Sequence, residues 1–280
     1  MTVVESIEGW CRRFILDANL ETKLAPGAPP AARDERAWEP SPESAETGRG
    51  LVPGRPDSLR SVARSPKTPS SAPALQSERA RALLFHTFLH HELQAAELFA
   101  WAILAFPETP REFRSGLLRL AEEELLHLSL YREHLTRLGF EVGDFPVRDW
   151  FWERVSTCAN AASFVALQGL GLEGANLEHS ARFARLFREA GDEDGAGILE
   201  RVGRDEIGHV AFARHWFERL TGEPLEYATW RAALPAPLTP AVLQGRPLNR
   251  EARRSAGLDD AFLEQLENEP ATHVSRRSVS

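Results

Sequence analysis

Cysteine is scarce in this 280-residue chain: Cys11 and Cys158 stand in no CxxC or other metal-like pairing. That argues against a built-in rubredoxin-type module and reads both residues as reduced thiols. Long apolar runs are missing too. No stretch reaches the roughly 18 uninterrupted apolar residues of a membrane helix. The opening MTVVESIEGWCRRFILDANL has no basic region ahead of a long apolar run, so it does not read as a secretory signal. Positive charge is in deficit, with 33 Lys and Arg against 41 Asp and Glu and a net charge of −8. A general nucleic-acid binder is usually basic. These absences predict a soluble cytoplasmic protein with no membrane partner, while a local basic patch stays open.

Hydrophobic residues make up 42% of the chain, enough for one sizeable core with length left for extensions. Residues 4–19 read as a short amphipathic helix anchored by Trp10, Phe14 and Ile15. A Pro-, Ser-, Gly- and Arg-rich segment follows, expected to be extended and to touch the core at Trp38, Leu51 and Val52. Residues 1–75 thus form one extension, 76–222 a helical bundle, and 223–280 a second extension with a short helix in LDDAFLEQLE.

Within the bundle, helical periodicity predicts helices over about 77–106, 110–138, 158–190 and 192–221. Short links make two antiparallel hairpins. The longer link EVGDFPVRDWFWERVST could run the length of a helix if extended, at roughly 3.3 Å per residue. The expected fold is therefore all-α, an antiparallel four-helix bundle with a long crossover between the second and third helices.

Polar residues interrupt the apolar stripes of these helices. Glu124 and His127 sit three apart in AEEELLHLSLY, flanked on their stripe by Leu117, Leu120 and Leu135. Glu206 and His209 repeat that spacing in RDEIGHVAF, between Val202 and Ala213. The first helix offers Glu92 or Glu97, and the third Glu173 or Glu178. Five residues are about 140° of helix, so only one of each pair can face the site. Glu92 shares its stripe with Phe85, Leu89, Ala96 and Phe99, and Glu173 lies among Leu170 and Leu177; both are chosen as the better-buried ligands. Glu92 to Glu124 spans 32 residues and Glu173 to Glu206 spans 33, so the hairpins read as copies offset by 81 or 82. The same offset relates Glu97 to Glu178, so burial alone carries the choice.

Four carboxylates and two imidazoles in a bundle core match the ligand constellation of di-iron and di-manganese carboxylate proteins. The expected metal ligands are Glu92, Glu124, His127, Glu173, Glu206 and His209, around two Fe ions or alternatively Mn. Asp205 is expected to support His127, and Glu123 to support His209, as acceptors for the second imidazole N–H. Tyr131, one turn beyond His127, is a candidate redox or proton partner, with core packing as the alternative. His90, His91, His134, His179 and His215 read as structural. Gly169, Gly171 and Gly174 around Glu173 suggest close packing, open space or a local helix distortion.

The stretches LHHELQAAELFAWAILAFP, GDFPVRDWFWE, GLGLEGANLEH and RDEIGHVAF, with KLAP, PGRP and AGLDDAF, resemble the DUF455 family of ferritin-like proteins over nearly the whole chain. In the wider superfamily the chain is similar to tRNA-modifying di-iron hydroxylases and, more distantly, to rubrerythrins and manganese catalases. The family carries no established activity, so the resemblance implies the ferritin-like fold and supports the metal site more than any reaction.

The leading expectation is a di-iron oxidoreductase that activates O2 or peroxide, such as a hydroxylase. Lacking a Gly-rich dinucleotide fingerprint, it would need an external electron donor. A peroxide-removing di-iron or di-manganese protein and a non-enzymatic metal-stabilised scaffold or binding protein are the alternatives; iron storage fits two Glu-x-x-His pairs and long extensions poorly. The substrate is expected to be a small molecule. A tRNA gains support if Arg33, Arg36, Arg49, Arg55, Arg60, Arg64 and Lys67 converge with Arg246, Arg250, Arg253 and Arg254, and loses it if they pair with acids.

Overall fold

The computed structural model describes residues 5–39, 48–59, 61–63 and 68–270. Among these, helices carry the architecture; a lone parallel bridge joins Ser61 to Val147, and there is no strand. The chain separates into two compact units, Met1–Ala161 with Phe183–Glu200 and Ala162–Arg182 with Arg201–Ser280.

The first unit is built on α1 (Ile7–Leu16), α2 (Leu20–Leu24), α3 (Glu78–Ala105), α4 (Arg111–Arg137) and α5 (Trp150–Val155). The Ser77 side chain accepts the Ala80 amide and starts α3, which stops at Phe106 ahead of Pro107. Helix α4 stops at Gly139, whose φ of +81° is a left-handed turn that costs glycine no Cβ clash. The two helices form the expected antiparallel hairpin. Phe85 lies against Tyr131 and His134 at ring separations of 5.4 and 4.4 Å, and two turns along α3 Glu92 approaches His127. Helix α3 also packs against α1 and α5, so it is buried on nearly every side rather than along one stripe.

Helix α1 buries Trp10, Phe14 and Ile15 as its pattern requires. In the following segment Trp38 is half-buried beside the guanidinium groups of Arg111 and Arg114, and Leu51 is also half-buried. Val52 does not anchor the segment; it is 73% exposed. Successive side chains of extended backbone point opposite ways, and here Pro53 takes the inward position. The crossover is not wholly extended either, because α5 interrupts it.

Along the chain, α6 (Ala161–Phe164) passes into a π-helical segment, Val165–Glu173, and then into α7 (Gly174–Glu189). The return helix is α8 (Glu193–Thr221). Gly169 lies against Ala213, Asn176 bonds Glu206, and Ser180 lies against Gly203, which fixes an antiparallel register. The three glycines around Glu173 serve close packing. A Cβ on Gly169 would meet the Ala213 Cβ at 2.3 Å, one on Gly171 the Leu243 side chain at 3.0 Å, and one on Gly174 the Arg253 guanidinium at 3.0 Å. The helix distortion the glycines suggested is the π segment itself.

After α8 come α9 (Tyr227–Ala233), α10 (Arg250–Ser255) and α11 (Asp260–Glu267). Only α11 is foreseen by the sequence; α9 and α10 are about two turns or less, too short to establish a period. No helix among the described residues is long and apolar enough to cross a membrane.

Gly169→Ala is expected to destabilise the protein by about 1–3 kcal/mol through overpacking against Ala213. Gly197→Ala, in open space on α8, is expected to stabilise by up to about 1 kcal/mol through helix propensity. Chemical denaturation of both variants checks this; equal shifts would contradict the packing role of Gly169.

Candidate metal centre

In the first unit, Glu92 on α3 and Glu124 and His127 on α4 offer ligand atoms that all lie within 4.8 Å of one another. The i,i+3 spacing puts Glu124 and His127 on one face, and the hairpin register brings Glu92 beside them. His127 Nδ1 is 3.3 Å from Glu124 Oε2 and 3.9 Å from Glu92 Oε2. All three are buried, Glu124 completely. Burial, and then the adjacent Glu124 charge, hold the Glu92 carboxyl well above the usual carboxylate range. Burial alone would lower the His127 pKa, but its hydrogen bonds to Glu124 and Glu92 outweigh that and raise it to about 12. Two carboxylates crowded on one imidazole thus hold protons where a cation would otherwise serve.

In the second unit, Glu173, Glu206 and His209 repeat the set with ligand atoms within the same 4.8 Å. His209 Nδ1 is 2.9 Å from Glu206 Oε2, and both side chains are fully buried. Two amides steer these carboxylates. Gln168 Nε2 donates to Glu173 Oε1 at 2.5 Å, and Asn176 Nδ2 donates to Glu206 Oε1 at 2.9 Å. π-Helical hydrogen bonding spans five residues, so residues 168 and 173 come to one side of the chain where an α-helix would part them. Gln168 Oε1 is buried with no hydrogen-bond partner. Sequence reasoning missed both amides, because the signal for Gln168 depends on a π segment that its glycines only hint at.

The two glutamates passed over are engaged elsewhere. Glu97 accepts two hydrogen bonds from Arg55, each 2.6 Å, and pairs with the buried Lys23 at 2.7 Å. Burial lowers the Lys23 pKa against the pull of Glu97. Glu178 accepts two bonds from the buried Arg253, each 2.8 Å, and also the amides of Gly245 and Asn249. The burial argument behind the sequence choice is corrected here, because Glu97 at 0% and Glu178 at 4% exposure are as buried as Glu92 and Glu173 at 5%. What separates the pairs is their partners, which come from the terminal extensions.

Tyr131 is buried and makes an edge contact with Phe85. His90 bonds Asp149, His91 stacks on Phe151, and His134 bonds Asp192, all structural contacts. Glu123 and Asp205 are exposed on their helices. The extension arginines are largely engaged: Arg36 pairs with Asp34, Arg250 and Arg254 with Asp260, and Arg49 and Arg246 bond the Ala159 and Glu269 carbonyls. Arg33 is exposed. Arg60, Arg64 and Lys67 lie outside the described residues.

A family model described as "Protein of unknown function (DUF455)" matches residues 17–264. An uncharacterized protein of Haemophilus influenzae is 31% identical over 153 residues, which is 52% of this chain and 53% of that protein. The match thus spans about half the length of this curated relative. No solved structure matches the chain.

Glu97→Ala is expected to destabilise by about 3–5 kcal/mol, because Lys23 and Arg55 lose a buried counter-charge; a cost under about 1 kcal/mol by urea denaturation would contradict this. The metal-free triad also predicts a pH dependence. The raised Glu92 pKa stabilises the fold fully below the ordinary 4.5 and loses that contribution as pH rises through the folded value. Metal-free Glu92→Gln is therefore expected to lose less stability than wild type as pH rises from 4.5. Equal slopes would contradict the raised Glu92 pKa.

Proposed function

The chain belongs to the DUF455 family, whose description assigns no activity, and we propose that it is a dinuclear-metal oxidoreductase of the ferritin-like kind. The observation that carries the proposal is repetition: each hairpin copy brings two buried carboxylates and one imidazole within ligand distance of one another. We take both triads to serve one centre. Their four carboxylates then balance two divalent cations, whereas the metal-free triads must bury like charges or hold extra protons. The mixed carboxylate and imidazole donor set, with no thiolate, suits Fe or Mn.

In this reading Glu92, Glu124 and His127 hold one ion, and Glu173, Glu206 and His209 the other. Gln168 and Asn176 orient the Glu173 and Glu206 carboxylates. Asp205 takes the second N–H of His127 and Glu123 that of His209, which fixes each ring's tautomer. The fully buried Glu124, Glu206 and His209 side chains keep bulk water from the ligand atoms. A bound redox-active metal pair would supply the capacity to activate O2 or peroxide, and hydroxylation is the reaction we favour. Electrons would come from an external donor. The pairing of extension arginines with acids and carbonyls favours a small-molecule substrate over tRNA.

Protein purified without a metal-affinity tag is expected to contain about two Fe or Mn per chain by elemental mass spectrometry. Glu124→Ala or Glu206→Ala, each in a different triad, is expected to reduce both ions together. Loss of one ion only in each variant would replace the shared centre with two independent sites. Retention of both ions in each variant would overturn the ligand assignment.

A further inference from the structure

Helix α8 turns Glu206 and His209 inward, and its opposite side faces solvent. By helical spacing Arg201, Arg204, Gly208, His215 and Arg219 share one stripe of that side, and all five are exposed. Ala211 and Phe212, half-buried, lie at its middle. The stripe thus has a small, partly apolar centre between charged ends, the usual anatomy of a contact surface.

Its charge runs against that of the molecule. The chain carries a net charge of −8, yet this stripe presents the guanidinium groups of Arg201, Arg204 and Arg219, with the Asp205 carboxylate at its edge. Glu218, on the flank, is taken up by Arg214 at 3.1 Å. Arg201 and Arg204 form no ion pair with an acid among the described residues. Arg219 lies over the Trp216 ring, 5.4 Å from its centroid. Gly208 is the second observation. A glycine inside a helix costs up to about 1 kcal/mol relative to alanine. Gly203, on another side of α8, has a packing reason, because a Cβ there would meet Ser180 Oγ at 2.3 Å. A Cβ on Gly208 would meet nothing within 4 Å. The gap opens outward, directly behind the ligand pair. A helix is about 10 Å across, so a partner seated on Gly208 would lie about one helix thickness from the Glu206 and His209 side chains.

We propose that this face of α8 docks a small acidic one-electron carrier protein, with its carboxylates against Arg201, Arg204 and Arg219 and its surface closing over Gly208. The role of the partner rests on the dinuclear oxidoreductase reading; the surface itself does not. Such carriers make small, transient contacts whose rate and specificity come from complementary charge. Each encounter oxidises one carrier and delivers one electron, so two encounters reduce a ferric pair to the ferrous state.

The test titrates the full chain, metal-free and Fe-loaded, with a plant-type [2Fe–2S] ferredoxin as the acidic carrier, at about 20 and about 200 mM salt. The Kd is expected to rise about tenfold or more between the two salts. At low salt Arg201→Glu and Arg204→Glu are each expected to raise Kd about fivefold or more, whereas Arg33→Glu, the same charge change at an exposed site of the N-terminal extension, changes it less than about twofold. Gly208→Trp fills open space and is expected to weaken binding with helicity and thermal stability retained. Absence of binding at low salt, binding indifferent to salt, unchanged binding by Arg201→Glu and Arg204→Glu, or an equal loss in Arg33→Glu would each overturn the proposal. In the Fe-loaded variants reduced ferredoxin is expected to reduce the iron about fivefold or more slowly, while dithionite, which needs no docking, acts as on wild type. Iron that dithionite reduces and ferredoxin does not would overturn the donor role. A chain that loads no iron would contradict the metal reading and the donor role with it, and the binding comparison would still decide the surface.

Discussion

Burying like charges is the constraint from which the rest of this structure follows. Taking a carboxylate out of water costs several kcal/mol unless something compensates it. Here carboxylates are buried at each copy of a repeated hairpin, two at the triad and one more five residues along the same helix. The fold answers in two ways. Glu97 and Glu178 are neutralised by arginines and, for Glu97, a lysine. The triad carboxylates instead lie beside one another and an imidazole, an arrangement that could hold a metal ion.

That division of labour gives the extensions a purpose. Arg55 comes from the Pro-rich N-terminal segment and Arg253 from the C-terminal one, and each reaches the equivalent glutamate of its own unit. The extensions are therefore part of the electrostatic design. They cover helix faces that would otherwise be wet, and they bring the counter-charges that covering requires. The close glycine contacts belong to the same economy of space: Gly245 sits against Glu178 and Gly174 against Arg253, with no room for a Cβ at the first.

Much of this is legible in the sequence, for stated physical reasons. Long helices betray themselves through periodicity, and α3, α4 and α8 begin and end within about two residues of where caps, Pro and Gly place them. Glu-x-x-His on an apolar stripe is a local signal, so Glu124, His127, Glu206 and His209 could be singled out. The partners of Glu97 and Glu178 could not, because Lys23, Arg55 and Arg253 lie tens of residues away and nothing local announces the contact. For the same reason helix patterning does not show that α1 and α5 cover further sides of α3. The π segment was foreshadowed only by glycines, and its consequence, the Gln168–Glu173 bond, needs the backbone to be seen.

The central claim is that the two triads hold a pair of ions in one centre. Electron paramagnetic resonance of the chain loaded anaerobically with Mn(II) tests it most directly, since ions sharing carboxylates at about 3.5–4 Å are magnetically coupled. The account predicts a spin-coupled spectrum whose hyperfine splitting is about half that of a single Mn(II). The six-line signal of isolated Mn(II) at full loading would contradict it.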